Sequence, residues 1–176
     1  MKNRQSIQQS EESSIQTTAI DDVKTKKGLD FLDVATLFHC LLFAYQKALK
    51  NILDSGSAIF VHPVLEIVAR INERVGINLI EGETIDEVFD NLSRLIQNTE
   101  MVKEFRFEKV APKKFVLHIN GCVLAPHVHK ELEPKDVTCP YALLAMSIFE
   151  RVLSGKVKVC DSEYSDNGTK TLIELL

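Results

Sequence analysis

The hydrophobic pattern of this chain changes period near residue 100, and that change limits the folds open to it. Between Leu29 and Asn98 apolar residues recur every three or four positions, as along one face of a helix. From Phe105 onward they alternate with polar residues, as on a strand with one buried face. A helical half that hands over to antiparallel strands predicts an α+β fold, not an alternating α/β one.

Within the helical half, Val34, Leu37, Phe38, Leu41, Tyr45, Leu49, Ile52 and Leu53 predict a helix from about Leu32 to Asp54, stopped by Ser55-Gly56-Ser57. Leu42, Phe43 and Ala48 widen its apolar arc beyond what one neighbour requires. The helix is therefore central to the core or shared with a second subunit. His39, inside it, reads as a core imidazole with a satisfied hydrogen bond. A second helix is predicted from Pro63 to Val75, with Val64, Ile67, Val68 and Ile71 inward and Gly76 as its stop. Thr84 followed by Glu87 is a capping box. It opens a third helix, with Ile85, Val88, Phe89, Leu92, Leu95 and Ile96 buried, that ends near Asn98.

In the second half, Phe105 and Phe107, a turn at Ala111-Pro112-Lys113, and Phe115, Leu117 and Ile119 predict a first hairpin. Pro140–Leu153 has helical spacing, with Gly155 just beyond it. Val157 and Val159 then lead to Asp166-Asn167-Gly168 and to Thr171, Ile173 and Leu175, a second hairpin signalled by Asn-Gly. The expected architecture is N-terminal helices packed on a twisted antiparallel sheet of about four strands, with one helix inserted between two hairpins. Residues 28–176 form one domain on this reading. Residues 1–27, rich in Gln, Ser, Thr and charge, have too little apolar surface to offset ordering and read as a disordered tail.

A formal net charge of −4 supplies no positive field for nucleic acid. No apolar run approaches the roughly 18 residues of a membrane span, and the N-terminus lacks the apolar stretch of a secretory signal. The expected compartment is the cytoplasm, where four cysteines are small core residues or metal ligands more often than disulfides.

Chemistry concentrates after the first hairpin, in Cys122-x4-His127-x-His129-x9-Cys139. These are ligand types suited to zinc. If residues 127–129 are extended behind Pro126, His127 and His129 point to one side, and a Cys2His2 metal site becomes conceivable. Cys139 falls where the inserted helix starts, where the helix dipole favours a thiolate. A cysteine hydrolase with Cys139 as nucleophile and His127 or His129 as base is the catalytic version, with Glu131, Glu133 and Asp136 competing to orient the base. In the plainer reading Cys122 and Cys139 are core residues, the histidines belong to a solvated loop, and Thr138 is the N-cap.

The element order resembles that of 4-vinyl reductase-like (hydrocarbon-binding) domains and their relatives, the TRAPP vesicle-tethering subunits. The features that carry the resemblance are the long apolar first helix before Ser55-Gly56, a strand running into Gly121-Cys122, Cys139 at the inserted helix, and the terminal hairpin with Gly168. It covers about Leu29 to Leu176. It implies a non-enzymatic regulatory or sensory domain, homodimeric through the first helix, with an apolar ligand between helices and sheet. Phe38, Leu42 and Tyr45 would face Phe115, Leu117, Leu144 and Ile148 across that ligand. A scaffold or tethering subunit is the alternative in the same superfamily. The zinc site of several members uses Glu-x-x-Cys and a later Cys in the last hairpin, where this chain has Asp161, Tyr164 and Leu172. That site does not transfer.

Overall fold

The computed structural model describes residues 29–53, 58–133, 137–158, 160 and 162–176. The predicted tail, the Ser55-Gly56-Ser57 stop, Asp136, Val159 and Asp161 lie outside the described residues. The helical half contains α1 (Phe31–Leu53), α2 (Ala58–Val75) and α3 (Ile85–Gln97). The strands β1 (Glu104–Ala111) and β2 (Lys114–Asn120) follow, then a short α4 (Ala125–Val128) running into a single 3-10 turn (His129–Glu131). The chain closes with α5 (Pro140–Leu153), β3 (Val157–Lys158), β4 (Ser162–Ser165) and β5 (Gly168–Leu175). The α+β class stands, with five strands instead of about four. The fifth arises because the segment before the terminal hairpin pairs with β5 as two separate pieces, β3 and β4.

The sheet is antiparallel throughout, in the order β1-β2-β5-β3, with β4 also on β5. Phe115 pairs with Ile173 and Leu117 with Thr171 across β2 and β5, which puts the apolar alternate residues on one face. That face is covered by α3 and α5. Phe89 of α3 stacks on Phe107 at 3.9 Å and meets Phe149 of α5 at 4.2 Å, and Phe149 meets Phe115 at 5.0 Å. Aromatic pairs in this range contribute about 0.5–1.5 kcal/mol each beyond area burial. α5 is apolar nearly all round because α2 packs on its other side, leaving Ala142, Leu143, Ala145, Met146, Ile148 and Phe149 without solvent.

The capping box is present: Thr84 Oγ1 accepts from the Glu87 amide, and the Glu87 carboxylate accepts from the Thr84 amide. Those amide donors, Glu83 and Thr84, hold the Glu87 carboxyl below its usual range. α2 departs from expectation in two respects. It starts at Ala58, so Pro63 lies inside the helix; the extra turn forms because Phe60 and Val61 pack into the core. Its inward stripe is Val61, Val64, Leu65 and Val68, which leaves Ile67 and Ile71 facing solvent instead of buried. The left-handed position after α5 is taken by Ser154 (φ 49°), one residue before Gly155.

Candidate functional site

The segment after β2 is folded back by Gly121, whose φ of 64° suits a residue without Cβ. Two bonds lock it onto the tip of the terminal hairpin: the Gly121 amide donates to Asn167 Oδ1 (3.2 Å) and the Cys122 amide to the Asn167 carbonyl (3.0 Å). The chain then enters α4 and the 3-10 turn, so residues 127–129 are helical and not extended. Two residues apart on a helical turn, His127 and His129 point to opposite sides. His127 is exposed and His129 is buried.

His129 Nδ1 lies 2.8 Å from the Ser165 carbonyl, and its ring meets Tyr164 edge-on at 4.9 Å. Tyr164 meets Phe43 of α1 at 5.7 Å, and Phe43 meets His39 at 4.5 Å. A small second core of Phe43, Val128 and Val137 thus fastens α1 to the Cys/His segment, with a histidine on either side. His39 is buried, as expected, but its Nε2 holds no hydrogen bond. Burial, and then the charge of His129, pushes the His39 pKa down to about 4. Burial also lowers that of His129, against the backbone bonds of Ser165 and Gly168. Both imidazoles are neutral near pH 7.

Beside this cluster runs a buried hydrogen-bond network. The Gln46 amide grips the backbone of Thr138 at both ends: Nε2 donates to the Thr138 carbonyl (2.9 Å), and the Thr138 amide donates to Oε1 (3.0 Å). The Thr138 hydroxyl donates to the Cys160 carbonyl, so Thr138 does not cap α5. The N-cap position belongs to Cys139, whose amide donates to Ser162 Oγ at 2.8 Å. Ser162 Oγ in turn sits 2.6 Å from Thr171 Oγ1. The sequence signal for Gln46 is a lone amide on the inward face of an apolar helix.

Cys139 is wholly enclosed, and burial pushes its thiol up to about 11, overriding the bonds from the Tyr141 and Ala142 backbone at the helix start. Cys122 is raised for the same reason. Tyr141, close enough to both to feel their charge, is pushed up to about 12, again chiefly by burial. The expectation of a helix-stabilised thiolate is thereby corrected: desolvation outweighs the dipole. Among the described residues no three His, Cys, Asp or Glu side chains converge where a metal ion could be held. Of the four sequence candidates, Cys122 and Cys139 share one apolar neighbourhood, His129 belongs to the Tyr164 cluster, and His127 faces solvent.

The seven residues expected around an apolar ligand are also dispersed. Phe38 and Tyr45 are exposed on α1 and Leu42 is half-buried beside them; Phe115, Leu117 and Ile148 are packed solid in the core, with Leu144 at its margin. Among the described residues, cavities lie elsewhere. One of about 200 Å³ lies under α1 against α4, walled by Phe43, Ala44, Val128, Leu132 and Val137. Another, about 410 Å³, lies between α3 and β1 and takes only Phe115 from the expected set. No protein-family model, curated protein or solved structure matches this chain. None of the described helices is long and apolar enough to cross a membrane.

Proposed function

We propose that the chain is a non-enzymatic binding or sensory domain that works as a homodimer through α1. One observation carries this reading. Phe31, Val34, Phe38, Leu41, Tyr45, Ala48 and Ile52 follow one another at alternating intervals of three and four residues, the spacing of a coiled-coil seam. They line the face of α1 turned away from the body. Phe31 is 78%, Phe38 68%, Tyr45 65% and Ile52 74% exposed. Single exposed apolar residues are ordinary, but a continuous apolar stripe about 32 Å long is the mark of an interface. No charged residue interrupts it, and a second copy offers an identical seam, as a two-fold interface requires.

The non-enzymatic part is supported by the enclosed, high-pKa thiols and by the commitment of His129 to the Ser165 carbonyl. A small apolar ligand would occupy the cavity beneath α1, so that ligand and dimer act on the same helix. That cavity is smaller than the roughly 300–1,000 Å³ usual for small-molecule sites. Its size favours a second reading, a dimeric scaffold or tethering subunit with no small ligand.

Native mass spectrometry with light scattering tests both. Wild-type protein is expected to be a dimer at micromolar concentration, and Phe38→Glu, at an exposed position, a folded monomer, because two carboxylates would face each other in the seam. A monomeric wild type overturns the proposal. Extra mass on the dimer supports the ligand reading, and a bare dimer supports the scaffold.

A further inference from the structure

The groove between α3 and β1 belongs neither to the seam nor to the cavity under α1. Among the described residues β1 ends the sheet, pairing with β2 on one side only, so half of its backbone N–H and C=O groups turn outward. Glu104, Phe105, Arg106 and Phe107 all line the groove. Side chains of successive strand residues point to opposite faces, so four in a row can border one groove only along the strand's edge. On the other side α3 contributes Asp86, Asp90, Ser93 and Gln97, which share one face of the helix. From Asp86 to Gln97 the helix rises about 16 Å and from Glu104 to Lys109 the strand extends about 17 Å, so both walls run the length of the groove. The floor is Phe89 stacked on Phe107.

The charges are uneven. Arg106 is paired with Glu104 (3.1 Å) and Glu108 (3.5 Å), and Lys109 lies 5.9 Å above the Phe115 ring at one end. Asp86 and Asp90 are exposed and have no ion-pair partner among the described residues. They stand four positions apart on α3, about 6 Å along its axis. Residues two apart on a strand are separated by about 6.8 Å and point the same way.

We propose that this groove docks an extended segment of a partner protein carrying basic residues at alternate positions, added to the sheet beside β1. The segment's backbone completes the free edge of β1. Its Lys or Arg side chains lay their stems over Phe89 and Phe107 and end at Asp86 and Asp90. The two carboxylates Asp86 and Asp90 in the groove wall favour a basic occupant, and pairing of β1 with a second copy is told apart from it by the test below. The volume, about 410 Å³, is within the range of ligand clefts.

The test uses the full chain and a fluorescent nine-residue peptide alternating Arg with Val, with a Glu/Val peptide as control. Micromolar binding of the Arg/Val peptide alone is expected, weakened about tenfold or more in an Asp86→Asn, Asp90→Asn variant and by raised salt. Both substitutions lie on the exposed face of α3, and circular dichroism confirms that the variant folds. Amide exchange along Glu104–Lys109 is expected to slow when the peptide is added, which a merely ionic attachment would not produce. Equal binding of both peptides, undiminished binding by the variant, unchanged exchange in β1, or no binding overturns the proposal. Slowed β1 exchange on self-association without peptide overturns it in favour of a second copy.

Discussion

Replacing Gln46 by Leu is expected to release α1 from the rest of the domain. α1 buries only His39, Phe43 and Gln46, and Gln46 is 1% exposed. Leu keeps most of the volume, so the substitution removes the hydrogen bonds to Thr138 with little change in packing. Without them one buried N–H and one buried C=O lose their partners, at about 1–3 kcal/mol each. The total is about 2–6 kcal/mol, or a roughly 30- to 25,000-fold rise in the fraction of molecules with α1 undocked. Dimerisation would mask part of this by mass action, so the comparison belongs in the Phe38→Glu background, by urea unfolding and amide exchange in α1. If α1 comes away as a unit, its exchange accelerates while α5 keeps its protection; if the domain unfolds together, the urea midpoint falls. Gln46→Glu separates the two bonds. The carboxylate still accepts from the Thr138 amide but faces the Thr138 carbonyl with no hydrogen to offer, so it destabilises more at pH 7 than at pH 5, where it can be protonated. Stability and α1 exchange both unchanged in Gln46→Leu, within about 0.5 kcal/mol, would refute the reasoning.

Three other outcomes follow from the same packing. His39 has its pKa at about 4 when folded against about 6.5 when unfolded, so the unfolded state binds more protons between those values. Stability is therefore complete above about pH 6.5 and falls by about 3 kcal/mol as pH drops towards 4. His39→Leu should flatten that part of the profile, and identical urea midpoints against pH in both proteins would contradict it. Cys40 is exposed and should react with iodoacetamide in the native protein, whereas Cys122 and Cys139 should label only on unfolding, as peptide mass mapping would show. Gly168→Ala should cost about 3 kcal/mol or more in thermal or urea unfolding, because a Cβ there lands on the Ile119 carbonyl across the β2–β5 ladder.

The elements legible in the sequence were those whose signals are local. Thr84 with Glu87, the Asn167-Gly168 turn and the alternation of Phe105, Phe107, Phe115, Leu117 and Ile119 each act within a few residues. α2 was harder, because which of two adjacent apolar stripes turns inward depends on where α5 lies, and that is a tertiary fact. The Cys/His segment misled for a related reason. Pro126 predicts an extended path, but Pro is equally at home in the first turn of a helix, where α4 places it. Once those residues wind, the histidines separate. The cysteine at the start of α5 shows the same limit: position on a helix is legible, whereas the degree of enclosure that sets its pKa is not.

α1 presents the stronger physical problem. It is the longest of the described helices, yet most of its apolar surface faces away from the core. Beside the apolar contact of Phe43, its inward face buries a Gln46 amide that needs a matched backbone pair and a His39 that must stay neutral. Such contacts are directional and lose most of their value with a small displacement, unlike apolar packing. A helix held in that way should dock or release as a unit. A second copy on the seam would stabilise whichever position of α1 it fits, by the free energy of association. Dimer strength and α1 docking should then be coupled with equal magnitude in both directions. The check is whether Gln46→Leu weakens dimerisation by the factor by which dimerisation slows α1 exchange, and independence of the two would separate the seam from the network beneath it.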